Sequence, residues 1–184
     1  MNRIRDQMAT LSSWQMKSKL QFALTNLDHT RALGRILGRM AGQGDVILLS
    51  GTLGAGKTTL TQAIADGLEV PEECYVISPS FSLLLEYPGR IPLYHIDCYR
   101  LEDEDDVEGS GLMDYIVADG LTVIEWPDRL GSLKPEDNLA IELVSIGAEA
   151  RRAVVTPSGR RWRERMNGLK SACTAASISV EDAP

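Results

Sequence analysis

Residues 50–59 read Ser-Gly-Thr-Leu-Gly-Ala-Gly-Lys-Thr-Thr, and the stretch from Gly51 to Thr58 satisfies G-x-x-x-x-G-K-[ST]. Immediately before it, Asp45-Val-Ile-Leu-Leu-Ser50 is almost wholly apolar, the pattern of a strand covered on both faces in a parallel sheet. Immediately after it, Leu60, Ile64 and Leu68 fall on one face of a helix over 57–68, closed by Gly67 and Pro71. A strand, a glycine-rich turn and a helix in that order form the context in which this motif cradles phosphate. Glycine lets successive N–H groups converge, and a side chain at Gly54 or Gly56 would crowd the phosphates or forbid the dihedrals. The helix adds its positive end. Lys57 supplies a mobile charge for the β- and γ-phosphates, and the Thr58 hydroxyl is placed to ligate Mg2+.

Outward from the loop, Leu33, Ile36, Leu37 and Met40 mark one face of a helix beginning near Asp28. Strands are expected at 74–77, 82–87, 92–99, 120–125, 138–146 and 151–157, with "PGR" at 88–90 turning a hairpin between the second and third of these. The acidic run "LEDEDDVE" (101–108) reads as a solvated helix and "GLMDYI" (111–116) as a short one. Between 150 and 170 seven basic residues, Arg151, Arg152, Arg160, Arg161, Arg163, Arg165 and Lys170, face one acid, Glu164. The following "SACTAASISVEDAP" is small and polar enough to read as disorder. The expected organisation is a flexible leader over 1–22, one domain over 23–157, and a basic, partly disordered extension over 158–184.

Composition narrows the function. The 184 residues suit one substantial core, and 43% hydrophobic with 24% charged residues is the balance of a soluble globular protein. A net charge of −7 argues against a chain that wraps nucleic acid by itself. Three scattered cysteines and two histidines disfavour a disulfide framework or a zinc site. No apolar run approaches the roughly 20 residues of a membrane span, and the start lacks a secretory pattern, so a cytoplasmic protein is expected.

A phosphate loop needs an acid at a neighbouring strand tip, and two compete: Asp97 ending "LYHID" and Glu125 ending "LTVIE". Composition does not divide the roles between them. The guanine motif N-K-x-D is missing, D-x-x-G occurs only as "DVEG" and "DRLG" with no guanine motif downstream, and no LSGGQ-type signature occurs. A small-molecule kinase stays open, because Arg151, Arg152 and "RRWRER" would suit an arginine-bearing lid; so does a nucleotide-gated binding module with negligible hydrolysis.

The ordered set "GTLGAGKTT", "SPSFSLLLEY" (78–87), "LYHIDCYRL" (93–101), "GLMDYI" and "VIEWPDR" (123–129) resembles the bacterial TsaE (YjeE) family over about residues 25–157. The resemblance implies an α/β chain with a three-layer P-loop NTPase fold around a mixed, mostly parallel sheet. It implies ATP and Mg2+ as cofactors, with the N–H groups of Leu53, Gly54, Ala55, Gly56, Lys57, Thr58 and neighbouring Thr59 around the phosphates. Thr58 and Glu125 would hold Mg2+, and Asp97 would support its water shell or orient the attacking water. Lys57, Asp97 and Glu125 are the expected catalytic set. Trp126 would brace Glu125, Ser78, Ser80 and Ser82 would sense the γ-phosphate, Thr25 would border the adenine and Arg151 would close over the nucleotide. Thr52 stands where the family often has an acid, and Ser80 where threonine is usual. The implied partners are TsaD and TsaB, which form N6-threonylcarbamoyladenosine at position 37 of tRNA; tRNA itself would be met only indirectly, with low activity alone.

Overall fold

In the computed structural model, which describes residues 19–116 and 118–183, the strand before the glycine-rich turn is β2 (Asp45–Ser50) and the helix after it is α2 (Lys57–Gly67). Upstream lie β1 (Leu20–Leu24) and α1 (Leu27–Met40). Downstream come β3 (Leu84–Tyr87), β4 (Leu93–Asp97), α3 (Glu104–Gly109), α4 (Met113–Ile116), β5 (Leu121–Glu125), a 3-10 segment (Pro127–Leu133), β6 (Asn138–Ser145), β7 (Arg151–Ser158), α5 (Arg161–Ala175) and β8 (Ser179–Asp182).

One sheet runs β3-β4-β5-β2-β6-β7-β1-β8. Its centre, β4-β5-β2-β6, is parallel. The sheet is mixed as expected, but antiparallel pairing takes a larger share than the sequence suggests. β3 adds antiparallel on one side, and β7, β1 and β8 add antiparallel on the other. Alternation along β2 sets the three layers. Ile47 and Leu49 face a core shared with α1, α2 and α5, whereas Val46 and Leu48 face a smaller core built with Val107, Leu112, Ile116 and Leu130.

The helical layer is closely packed. α1 and α2 approach through Gly34, where an added Cβ would meet the Ala63 Cβ at 2.5 Å and the Leu60 carbonyl oxygen at 2.8 Å. Asn26 caps α1 by accepting the His29 N–H at 2.8 Å.

Three expectations need correction. Residues 74–77 form no strand: the Val76 carbonyl accepts from the Gln62 side chain (2.9 Å) and the Ile77 N–H donates to the Tyr87 hydroxyl (3.2 Å), so side chains replace a ladder. The leader boundary is also displaced, because β1 begins at Leu20; the remainder of the expected leader, residues 1–18, lies outside the described residues.

The tail beyond 158 is not a disordered extension. It folds as α5 and β8, and β8 pairs with β1. Trp162, Met166, Leu169 and Cys173 recur at helical spacing and are buried in the main core. The arginines that coloured the sequence reading lie on the other faces. Arg165 pairs with the buried Asp45 at the start of β2, whose second hydrogen bond comes from the Gly42 N–H at 2.7 Å. Arg161 donates to the Gln43 carbonyl at 3.0 Å.

Candidate nucleotide site

Parallel pairing brings the C-terminal tips of β2, β4 and β5 to one edge of the sheet, and the loop 51–56 turns over that edge into α2. Gly51, Gly54 and Gly56 have φ of 142°, 79° and 104°, where a side chain is strained. At Gly51 an added Cβ would also meet the Leu143 carbonyl oxygen at 2.5 Å, while the space around Gly54 is open. The requirement for glycine is therefore steric at Gly51 and conformational at Gly54.

A cavity of about 420 Å3 lies against the loop, lined by Gly54, Gly56, Lys57, Thr58 and Thr59, by Ser78 and Ser80, and by Asp97, Glu125 and Trp126. Leu53, Tyr99 and Arg100 complete its rim. The Lys57 ammonium donates to the carbonyls of Gly51 (3.0 Å) and Thr52 (3.2 Å) and sits 4.2 Å over the Trp126 ring. Burial holds its pKa below the ordinary lysine value, against the opposing pull of Glu125 and Asp97. Trp126 adopts φ 59° and ψ 50°, an unusual conformation for a bulky residue, at the turn from β5 into the 3-10 segment.

Asp97 and Glu125 are register partners, both buried. Glu125 Oε1 accepts from the Thr58 hydroxyl at 3.1 Å and lies 3.1 Å from His95 Nε2. Asp97 Oδ2 accepts from the Ser78 hydroxyl at 2.5 Å, and Oδ1 accepts from the Tyr99 N–H at 3.0 Å. The hydroxyl–carboxylate pair of Thr58 and Glu125 suits a hard, oxygen-seeking cation at the head of the phosphate loop. Among the described residues no three His, Cys, Asp or Glu side chains gather to hold a metal alone.

The sequence-derived residues fare unequally. Leu53, Gly54, Gly56, Lys57, Thr58 and Thr59 line one cavity together with Ser78, Ser80, Asp97, Glu125 and Trp126, while Ala55 is buried behind it. Arg151 reaches the loop from behind: its Nε donates to the Ala55 carbonyl at 2.8 Å, and the guanidinium also ties down the carbonyls of Gly147, Ala148 and Ala150. A second cavity of about 120 Å3, sharing Gly56 and Thr59 with the first, is lined by Leu27, Thr30, Ala148, Glu149 and Arg151. Thr25 is not part of it. Its hydroxyl pairs with His29 Nδ1 (3.2 Å), while Leu27 and Thr30, in the first turn of α1, stand at the cavity. Ser82 is likewise outside the main cavity. His95 carries no sequence signal beyond period two, which puts it on the same face of β4 as Asp97. Arg100, stacked 4.2 Å over Phe81, carried no pattern that spacing would reveal.

These elements define a chain of the P-loop NTPase fold. The family model described as "Threonylcarbamoyl adenosine biosynthesis protein TsaE" matches residues 24–154. The tRNA threonylcarbamoyladenosine biosynthesis protein TsaE of Bacillus subtilis (strain 168) is 37% identical over 145 residues, covering 78% of this chain and 89% of that protein. The protein of the same name from Treponema pallidum (strain Nichols) is 40% identical over 114 residues, covering 62% and 83%. The crystal structure of Bacillus subtilis YdiB superposes with a TM-score of 0.69 at 30% identity, spanning 88% of this chain and 98% of that one. The chain belongs to the TsaE family.

Among the described residues no helix is long and apolar enough to cross a membrane.

Proposed function

We propose that this protein binds ATP with Mg2+ and hydrolyses it, weakly on its own, in support of N6-threonylcarbamoyladenosine formation at position 37 of tRNAs reading codons that begin with A. It acts with TsaD and TsaB in the cytoplasm and meets tRNA only through them. The observation that carries the reading is the hydrogen bond between Thr58 and Glu125 at the mouth of a glycine-built phosphate loop, in a chain that belongs to the TsaE family. Mg2+, when bound, neutralises phosphate charge and polarises the bond to be broken.

The chain's own groups divide the remaining work. The loop N–H groups and the first turn of α2 grip the phosphates, and Lys57 follows the charge that develops on them. Thr58 and Glu125 hold the cation. Asp97, kept in place by Ser78 and Tyr99, orients the attacking water and receives its proton. The smaller cavity beside Thr30 and Arg151 takes the nucleoside end. A kinase with an arginine lid is the weaker reading, since Arg151 and Arg165 are occupied in fastening the loop and α5.

The deciding experiment adds this protein and ATP to its cognate TsaB–TsaD with tRNA, threonine-derived donor and Mg2+. The expected result is modified adenosine over repeated cycles with phosphate release. No gain over TsaB–TsaD alone, or phosphate appearing on an added metabolite, overturns it.

A further inference from the structure

His95 is a buried polar ring with no part in the chemistry described so far. It lies on β4 opposite Val123, with none of its surface exposed, on the face where Leu93, Leu121 and Val123 supply the core. An aliphatic side chain would suit that position, and burying an imidazole there costs free energy unless its polar atoms are used. Only one is used. Nε2 lies 3.1 Å from Glu125 Oε1, and Nδ1 has no partner among the described residues.

The hydrogen can be placed from geometry. A carboxylate only accepts, so Nε2 must carry the hydrogen that joins it to Oε1. A hydrogen on Nδ1 would be a buried donor without an acceptor, the costlier orphan. The tautomer with its hydrogen on Nε2 satisfies both conditions. Glu125 Oε1 then accepts two hydrogens, one from His95 and one from Thr58. A hydroxyl that donates to Oε1 keeps its lone pairs free to accept a cation.

We infer that His95 is a positioning residue for the cation end of the site: it fixes the Glu125 carboxylate, and through it the Thr58 hydroxyl, in the orientation that accepts Mg2+. The inference rests on the ATP–Mg2+ reading above. His95 touches neither nucleotide nor cation; it acts through Glu125, as outer partners of metal ligands do.

Two measurements test it. Nucleotide affinity is measured by calorimetry for wild type, His95→Leu and His95→Gln, each with Mg2+ and with EDTA. His95→Leu should lose roughly 10-fold or more of the enhancement that Mg2+ gives to ATP binding, with affinity in EDTA unchanged within about 2-fold. His95→Gln, whose side-chain amide offers a donor at similar reach, should recover most of that loss. An unaltered Mg2+ enhancement in His95→Leu, or equal loss with and without Mg2+, overturns the inference.

Nitrogen NMR of the wild-type protein decides independently of whether the leucine variant folds. The chain has two histidines, and only His95 is fully buried. Its ring should show a protected Nε2–H whose resonance moves when Mg2+ is added to the ADP-bound protein. A hydrogen on Nδ1, or no response to Mg2+, overturns it. Wild type that binds no ATP in Mg2+ removes the parent reading and this one together; wild type that binds normally, indifferent to His95, removes this one alone.

Discussion

Asp97 and Glu125 stand side by side as register partners on β4 and β5, yet their carboxylates are engaged by different donors. Glu125 is held by Thr58 and His95, from the loop helix and the neighbouring strand; Asp97 is held by Ser78 and Tyr99, from the segments bordering the cavity mouth. Lys57 sits beside both, and the two acids pull its pKa up against the larger downward effect of burial. The division of donors predicts a division of labour.

Glu125→Gln should weaken ATP binding by about 10-fold or more in Mg2+ and leave it nearly unchanged in EDTA. Titration calorimetry under both conditions reads this directly. Equal affinity of variant and wild type in Mg2+ would remove Glu125 from the cation.

Asp97→Asn should bind ATP·Mg2+ within a few-fold of wild type while turnover falls by roughly 100-fold or more. Ser78→Ala, which frees Oδ2 without changing charge, should show the same pattern to a smaller degree. Single-turnover phosphate release in the presence of TsaB and TsaD is the measurement. A variant that loses binding and turnover in step would place Asp97 on the ground-state nucleotide instead.

Cutting the chain after Ser158 should abolish a cooperative thermal transition. The cut removes Trp162, Met166, Leu169 and Cys173 from the core, each contributing roughly 1.5–3 kcal/mol for the larger side chains, against a domain stability of about 5–15 kcal/mol. The milder Arg165→Leu removes the closer of two arginines beside the buried Asp45, leaving Arg161 at 4.0 Å, and should cost about 2 kcal/mol, below the roughly 3–5 of a fully isolated buried charge, or roughly 4–8 °C in Tm. Arg165→Leu combined with Asp45→Asn should recover part of that loss, measured by calorimetric melting.

Burial pushes the thiols of Cys98 and Cys173 up to about 12, from an ordinary value of 9.0. The folded state thus favours the protonated thiols. That contribution to stability is fully present below pH 9 and is lost as pH rises from 9 toward about 12. Urea midpoints should decline over this range, and less steeply in Cys98→Ala/Cys173→Ala. In the native protein at pH 8 a thiol reagent should modify Cys74, which is only partly buried, well before the other two.

The loop, the flanking β2 and α2 and both strand-tip acids were legible because each is specified locally, by a motif or by periodicity over a few residues. What stayed hidden was set by distant partners. Nothing near Asp45 announces that Arg165 will bury against it, and charge density masked the apolar stripe of α5. Residues 74–77 look like a strand by composition, but Gln62 and Tyr87 intercept their backbone groups. Leu27 and Thr30, rather than Thr25, line the smaller cavity, and Thr25 pairs with His29 instead, a single turn of geometry that spacing alone does not fix.

The first strand of the fold lies between its two latest ones: β1 pairs with β7 at 151–155 and with β8 at 179–182. During synthesis, Leu20–Leu24 therefore emerges from the ribosome long before either neighbour exists. Its apolar residues wait unpaired while β2, the phosphate loop and α2 are made, and non-local pairing of this kind is slow to close. Assembly of the sheet therefore finishes at its β7-β1-β8 edge, so a stalled or shortened translation product carries a finished loop sequence beside strands still without partners, a species that chaperones would hold and proteases would find.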